Sequence, residues 1–149
     1  MNFTTLIIDD EQPALDLIGD YVSQTPFLSL QGSFRDGFSA LDYLQQQDID
    51  LLLLDINMPG LSGLELVASL KHPPKVIFIT AHPDFALDGF RLDALDYLVK
   101  PVRYPSFYKA VSKVLHLSKH DRLATTPGTV LAPTESDFIF VKVDNRFER

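Results

Sequence analysis

Leu51-Leu52-Leu53-Leu54-Asp55-Ile56-Asn57-Met58-Pro59-Gly60 is the stretch that decides the fold. Four consecutive leucines read as a strand covered on both faces, the pattern of a parallel sheet enclosed by helices. The strand ends on an aspartate, and Pro59-Gly60 closes the loop that follows. In open α/β sheets ligands bind outside the carboxyl ends of the strands, so a carboxylate at this tip faces a crevice rather than the core.

Working outward, the chain alternates. Phe3 to Ile8 is an apolar, β-rich run that delivers Asp9-Asp10-Glu11 at its carboxyl end. Pro13 suits the first turn of a helix, and Leu15, Ile18 and Val22 form its apolar stripe to about Ser23. Phe27 to Phe34 predicts a second strand. Asp36 caps a second helix whose Phe38, Leu41 and Leu44 recur at helical spacing as far as Gln47. The third strand is Asp50 to Asp55. A third helix carries Leu61, Leu64, Leu66, Val67 and Leu70 until His72-Pro73-Pro74 stops it. Then come a strand over Val76 to Thr80, a short helix over Pro83 to Arg91, a strand over Leu95 to Val99 and a helix from Arg103 to about Lys119. Five strands separated by helices, with right-handed crossovers, predict a (βα)5 parallel sheet covered on both faces.

From about His120 to Ser136 the composition shifts to Thr, Pro, Gly and Ala, the signature of a linker. Asp137 to Val143 resumes a strand-like run, Asp144-Asn145 is a turn, and Arg146-Phe147 starts a partner strand. A hairpin of that size is too small to be a domain, so the chain is expected to stop inside a second one. The expected organisation is a domain over 1–119, a linker over 120–136 and the start of another domain over 137–149.

The composition, with 46% hydrophobic and 22% charged residues, is that of a soluble globular protein. No apolar run approaches the ~20 residues of a membrane span. The N-terminus lacks the basic and apolar regions of a signal peptide, and there is no cysteine, so a cytoplasmic location is expected. The net charge of −7 falls on residues 1–118, which hold 15 Asp and Glu against 8 Lys and Arg. Such a domain is not built to lie on a phosphate backbone, and any contact with DNA must come from another domain.

The strand ends are chemically distinctive: Asp9 and Asp10 after the first, Asp55 after the third, Thr80 after the fourth and Lys100 after the fifth. In a parallel sheet they converge on one edge. Three carboxylates so close repel one another unless a divalent cation and an ammonium neutralise them, and an all-oxygen set suits Mg2+. The chemistry this points to is phosphoryl transfer onto Asp55, with charge on the incoming oxygens offset by metal, lysine and hydroxyl. Taken singly, each residue has a structural explanation: Asp9 or Asp10 as a helix cap, Asp55 as a loop acid, Thr80 as a β-former, Lys100 as a solvated side chain. Their joint placement is what argues for a site.

Ile8-Asp9-Asp10-Glu11, Leu54 through Gly60, Ile79-Thr80-Ala81 and Asp96-Tyr97-Leu98-Val99-Lys100-Pro101 together resemble the receiver domain of two-component response regulators over about residues 3–119. The resemblance implies an α/β, flavodoxin-like, doubly wound fold with strand order 2-1-3-4-5, and Asp55 as phospho-acceptor of a sensor histidine kinase. It implies Mg2+ held by Asp10 directly, Asp9 through water, Asp55, and the backbone carbonyl of Asn57. Thr80 and Tyr97 would be the switch pair, and Lys100 the phosphate-pairing lysine before a cis Lys100–Pro101 bond. Asn57 and His82 would tune dephosphorylation. The face from Pro83 to Val99 would be the output surface, through which a homodimer forms on phosphorylation. The stretch from Thr80 to Phe90, with Leu95 to Pro101, is similar to receivers that carry a LytTR-type DNA-binding domain, and Asp137 to Val143 looks like the opening strand of that domain. DNA would then be contacted only through the part of it beyond Arg149.

Two other functions fit the topology. An aspartyl-nucleophile phosphatase or phosphotransferase typically carries D-x-D after the first strand, whereas here the candidate nucleophile follows the third. A flavin or nucleotide carrier needs a Gly- or Ser/Thr-rich anion cradle after the first strand, where this chain has Asp9-Asp10-Glu11.

Overall fold

The computed structural model describes residues 2–82 and 94–125, with backbone alone from 117 onward. The elements are β1 (Phe3–Ile8), α1 (Gln12–Ser23), β2 (Leu28–Phe34), α2 (Gly37–Gln46), β3 (Leu51–Asp55), α3 (Gly63–Ala68), β4 (Lys75–Thr80), β5 (Asp96–Val99) and α4 (Tyr104–Thr125). The sheet runs β2-β1-β3-β4-β5 with every neighbouring pair parallel, which is the expected flavodoxin-like order. The sheet lies in a compact unit, Met1–Val114. Of a second unit, Leu115–Arg149, only the helix to Thr125 is described. The helix expected over Pro83 to Arg91 and the strands expected from Asp137 lie outside the described residues.

The leucine run explains the two-layered core. All four leucines have no exposed surface, but they alternate. Leu51 and Leu53 join Phe3, Ile7, Ile77 and Ile79 beneath α1 and α4, which contribute Leu15, Ile18, Val22, Phe107 and Val111. Leu52 and Leu54 join Leu6, Ile8, Val76 and Phe78 on the opposite face, against Ala40, Leu66 and Val67 of α2 and α3. Each such leucine contributes about 2 kcal/mol through apolar surface removed from water. A strand that feeds both layers has to be apolar at consecutive positions, and β3 is the central strand, paired to β1 at Ile8↔Leu54 and to β4 at Leu54↔Phe78.

Three expectations need adjustment. Phe38 is 62% exposed, with its ring beside Gly60, while Ala40 is fully buried. The buried stripe of α2 centres on Gly37, Ala40, Leu41 and Leu44, and Phe38 sits about a third of a turn away from it at 100° per residue. Helix α3 ends at Ala68, short of Leu70, with Ser69 as its C-cap and the Ser69 hydroxyl donating to the Glu65 carbonyl at 2.8 Å. Helix α4 continues to Thr125, so the first residues of the expected linker are helical; Arg122, Leu123 and Ala124 favour that state.

Candidate functional site

Each strand hands its last residue to a loop whose own hydrogen bonds fix it. Beyond β1, Asp9 is only 4% exposed, and its Oδ1 accepts from the Glu11 N–H at 2.9 Å. Neither Asp9 nor Asp10 caps α1; the N-cap is Glu11, which makes no side-chain cap bond, and Pro13 lies in the first turn. Beyond β3, the Asn57 N–H donates to Asp55 Oδ1 at 3.1 Å, and Gly60 takes a φ of 80°, a left-handed turn that glycine adopts without steric cost. The main chain then folds back on the strand. The Gly63 N–H donates to the Ile56 carbonyl at 2.8 Å, and a Cβ at Gly63 would press on the Asp55 carbonyl oxygen and lie 3.0 Å from Ile56 Cα. Ser62 and Glu65 form a reciprocal capping box that fixes the start of α3 at this spot.

On the other side of the sheet edge, the Lys100 N–H donates to the Thr80 carbonyl at 2.8 Å, and the Lys100–Pro101 bond is cis. The Tyr21 hydroxyl donates to the Val102 carbonyl at 2.9 Å, tying the loop after Pro101 to α1. The Lys100 side chain therefore returns over the acids. Its Nζ lies 2.8 Å from Asp9 Oδ2, 3.3 Å from Glu11 Oε1 and 3.4 Å from Asp55 Oδ2.

Among the described residues, one ammonium here meets four carboxylates, those of Asp9, Asp10, Glu11 and Asp55. Burial first, and then the neighbouring Asp9 charge, push the Asp55 carboxyl from its ordinary 3.8 up to about 6, against the opposing pull of the Asn57 N–H and Lys100. For Lys100, burial works against the charge. The hydrogen bond to Asp9 and the attraction of Asp55 and Asp9 outweigh it and hold the ammonium above the usual lysine range. Asp9, Asp10 and Asp55 each offer a carboxylate oxygen, and these lie within 4.8 Å of one another. A compact, hard, all-oxygen set with an unneutralised charge fits a divalent cation of the Mg2+ type. A cleft of about 180 Å³ opens above it, lined by Asp10, Glu11, Asp55, Asn57, His82 and Lys100.

The structure thus brings together Asp9, Asp10, Asp55 and Lys100, with Asn57 and His82 on the cleft wall. Thr80 is fully buried beside them, and its hydroxyl oxygen accepts from the His82 N–H at 3.0 Å. Tyr97 does not line this cleft. Its ring stacks on Phe78, with centroids 5.7 Å apart and planes 18° from parallel, against the α2–α3 layer of the core. Two contributors do not follow from the sequence reading. Glu11 reaches Lys100, and Arg35 donates to the Asp10 carbonyl through Nε at 3.3 Å and Nη2 at 3.0 Å. The available signal for Arg35 was its position, the first residue past β2 on the same sheet edge.

Residues 5–112 match the family model described as response regulator receiver domain. The chain is 43% identical over 112 residues to the positive alginate biosynthesis regulatory protein of Pseudomonas aeruginosa, covering 72% of this chain and 45% of that protein. It is 33% identical over 133 residues to the sensory transduction protein LytR of Staphylococcus haemolyticus, covering 85% of this chain and 52% of that one. The chain spans about half the length of these curated relatives. Among solved structures, the response regulatory domain of MrkE from Klebsiella pneumoniae superposes with a TM-score of 0.73 at 30% identity, over 78% of this chain and 98% of that domain.

Proposed function

Because the chain belongs to the response regulator receiver domain family, we propose that it accepts a phosphoryl group on Asp55 from a histidine kinase and switches a transcriptional output domain. Receiver domains of this family work with histidine kinases in two-component systems and are not an enzyme family; the chemistry proposed for this chain is its own phosphorylation and dephosphorylation. The observation that carries the reading is Asp55 itself: a carboxylate only 5% exposed at the tip of the central strand, with its proton affinity raised, facing Asp9, Asp10 and Lys100.

In the transfer, an Asp55 carboxylate oxygen attacks the phosphorus, the P–N bond to the donor imidazole breaks, and that nitrogen keeps the electron pair and takes a proton. Mg2+, held by Asp9, Asp10, Asp55 and the Asn57 carbonyl, supplies positive charge against the phosphoryl oxygens when bound. Lys100 exchanges its contact with Asp55 for one with a phosphoryl oxygen. The Thr80 oxygen accepts from His82, and its own O–H donates to another phosphoryl oxygen. Asn57 and His82, on the cleft wall, govern the approach of the hydrolysing water. Tyr97, already turned onto Phe78, is the aromatic partner of the Thr80 switch.

The region Pro83 to Val99 is the proposed dimerisation surface on phosphorylation; Val99, on the edge strand β5, is 44% exposed. The proposed receiver covers 1–119, and residues 137–149 are proposed to belong to a LytTR-type DNA-binding domain. The regulatory names of the relatives support that output. The proposed location is the cytoplasm; no helix among the described residues is long and apolar enough to cross a membrane. An anion cradle for a flavin or nucleotide is disfavoured by the acids that line the cleft.

The test is to incubate the protein with a small acyl-phosphate donor, with Mg2+ or with EDTA, and to record the intact mass and the sedimentation profile. One acid-labile phosphoryl adduct that needs Mg2+, accompanied by a shift toward dimer, is expected. An unmodified protein, or continuous release of phosphate without a stable adduct, rejects the receiver mechanism; an adduct that sediments as monomer rejects the dimer surface.

A further inference from the structure

We infer that Arg35 is a positioning residue for the metal site, acting through the main chain of Asp10; the inference rests on the Mg2+ reading proposed above. The β1–β2 ladder ends at Ile8↔Phe34 and is extended by one bond, from the Asp9 N–H to the Phe34 carbonyl at 3.0 Å. Past that point the two chains diverge. Asp10 also lies before the helical ladder of α1, whose first acceptor is the Glu11 carbonyl, bonded by Ala14 and Leu15. The Asp10 peptide is therefore served by neither the sheet nor the helix.

Arg35 fills that gap. Its guanidinium places two N–H groups on the Asp10 carbonyl, at 3.3 and 3.0 Å, and the planar fork fixes the direction of that peptide as well as its position. Among the described residues it makes no ion pair with Asp9, Asp10 or Asp55, so Arg35 does not compete with a cation for those carboxylates. Asp10 is the least buried of the three metal-set acids, and Asp9 and Asp55 are already oriented by bonds to the Glu11 and Asn57 N–H groups. Its carboxylate depends on its main chain for orientation, and Arg35 holds the main chain.

Charge and position make opposite predictions, which gives the test its sign. A cation near the site opposes Mg2+ through space, so removing Arg35 as a mere charge tightens binding. Removing it as a positioning group weakens binding. The experiment is a titration of the full chain with MgCl2, followed by amide chemical shifts of residues 9–12, for wild type, Arg35→Ala, Arg35→Gln and Arg35→Lys, with thermal midpoints measured in EDTA. Arg35→Ala is expected to raise the Mg2+ Kd roughly tenfold, the low end for outer partners of metal ligands. Its midpoint should stay unchanged, with Gln intermediate and Lys recovering most of the affinity. If Arg35→Ala binds as tightly as wild type or tighter, or if affinity across the set follows the EDTA midpoint rather than donor capacity, the inference fails while the Mg2+ reading stands. A wild type that does not titrate overturns both. Should Arg35→Ala not fold, the Gln and Lys variants give the same comparison.

Discussion

Asp55→Asn is expected to abolish the phosphoryl adduct and, in the same protein, to raise the stability of the metal-free fold at pH 7. Both effects come from one carboxylate. As acceptor it has no substitute, because a neutral amide does not attack phosphorus at a useful rate. As a structural group it is costly: burial and the neighbouring Asp9 raise its folded pKa to about 6 from an ordinary 3.8. The folded protein therefore holds this proton more tightly than the unfolded chain does. Below pH 4 both states are protonated and Asp55 costs nothing. Between about pH 4 and 6 the unfolded chain has released the proton while the fold retains it, so stability falls as pH rises, and above pH 6 the whole penalty is present. Allowing for screening at the cleft mouth, it amounts to about 1–3 kcal/mol. Denaturant melts in EDTA should show Asp55→Asn above wild type by that amount at pH 7, the two curves converging toward pH 4, and Mg2+ closing part of the gap from the wild-type side. A variant less stable than wild type at pH 7 would show that Lys100 already compensates the charge.

Gly63→Ala should have the largest cost to the fold. The first residue of α3 is packed against the end of β3 so closely that a methyl group meets the Asp55 carbonyl oxygen and lies 3.0 Å from Ile56 Cα. Those neighbours are backbone, bound into the sheet through Asp55↔Ile79, and they do not swing aside as a side chain would. The expected loss is about 3 kcal/mol, at the upper end of overpacking costs. It should be accompanied by slower phosphorylation, since the atoms displaced carry Asp55, the proposed acceptor. Gly19→Ala is the internal control: nothing lies within 4 Å of its Cβ, and it sits inside α1, so the exchange should stabilise by about 0.5–1 kcal/mol. Chemical denaturation of the two variants side by side measures both.

What could be read from the sequence divides along a physical line. The strands and the acids were legible because each candidate site residue directly follows an apolar run: Asp9 after Ile8, Asp55 after Leu54, Thr80 after Ile79. A parallel topology then gathers them at one edge without any knowledge of side-chain geometry. Residues whose roles depend on contacts far away in sequence were not legible. Arg35 reaches a carbonyl 25 positions back, Glu11 meets an ammonium 89 positions on, and Tyr21 holds a carbonyl 81 positions on. Gly63 belongs with them, since its constraint is a distance to another segment's backbone. Phe38 failed for a different reason: three residues fall short of a full helical turn, and hydrophobicity alone did not show that the small Ala40 marks the stripe pressed to the sheet.

The central claim is that Asp55 carries the phosphoryl group, and locating the modified residue tests it most directly. After reaction with Mg2+ and an acyl-phosphate donor, borohydride reduces an aspartyl phosphate to homoserine, and peptide mass spectrometry reads its position. Homoserine at position 55 and nowhere else is the predicted result. Homoserine at position 9 or 10, or phosphate retained on a histidine or hydroxyl side chain with position 55 unchanged, would contradict it.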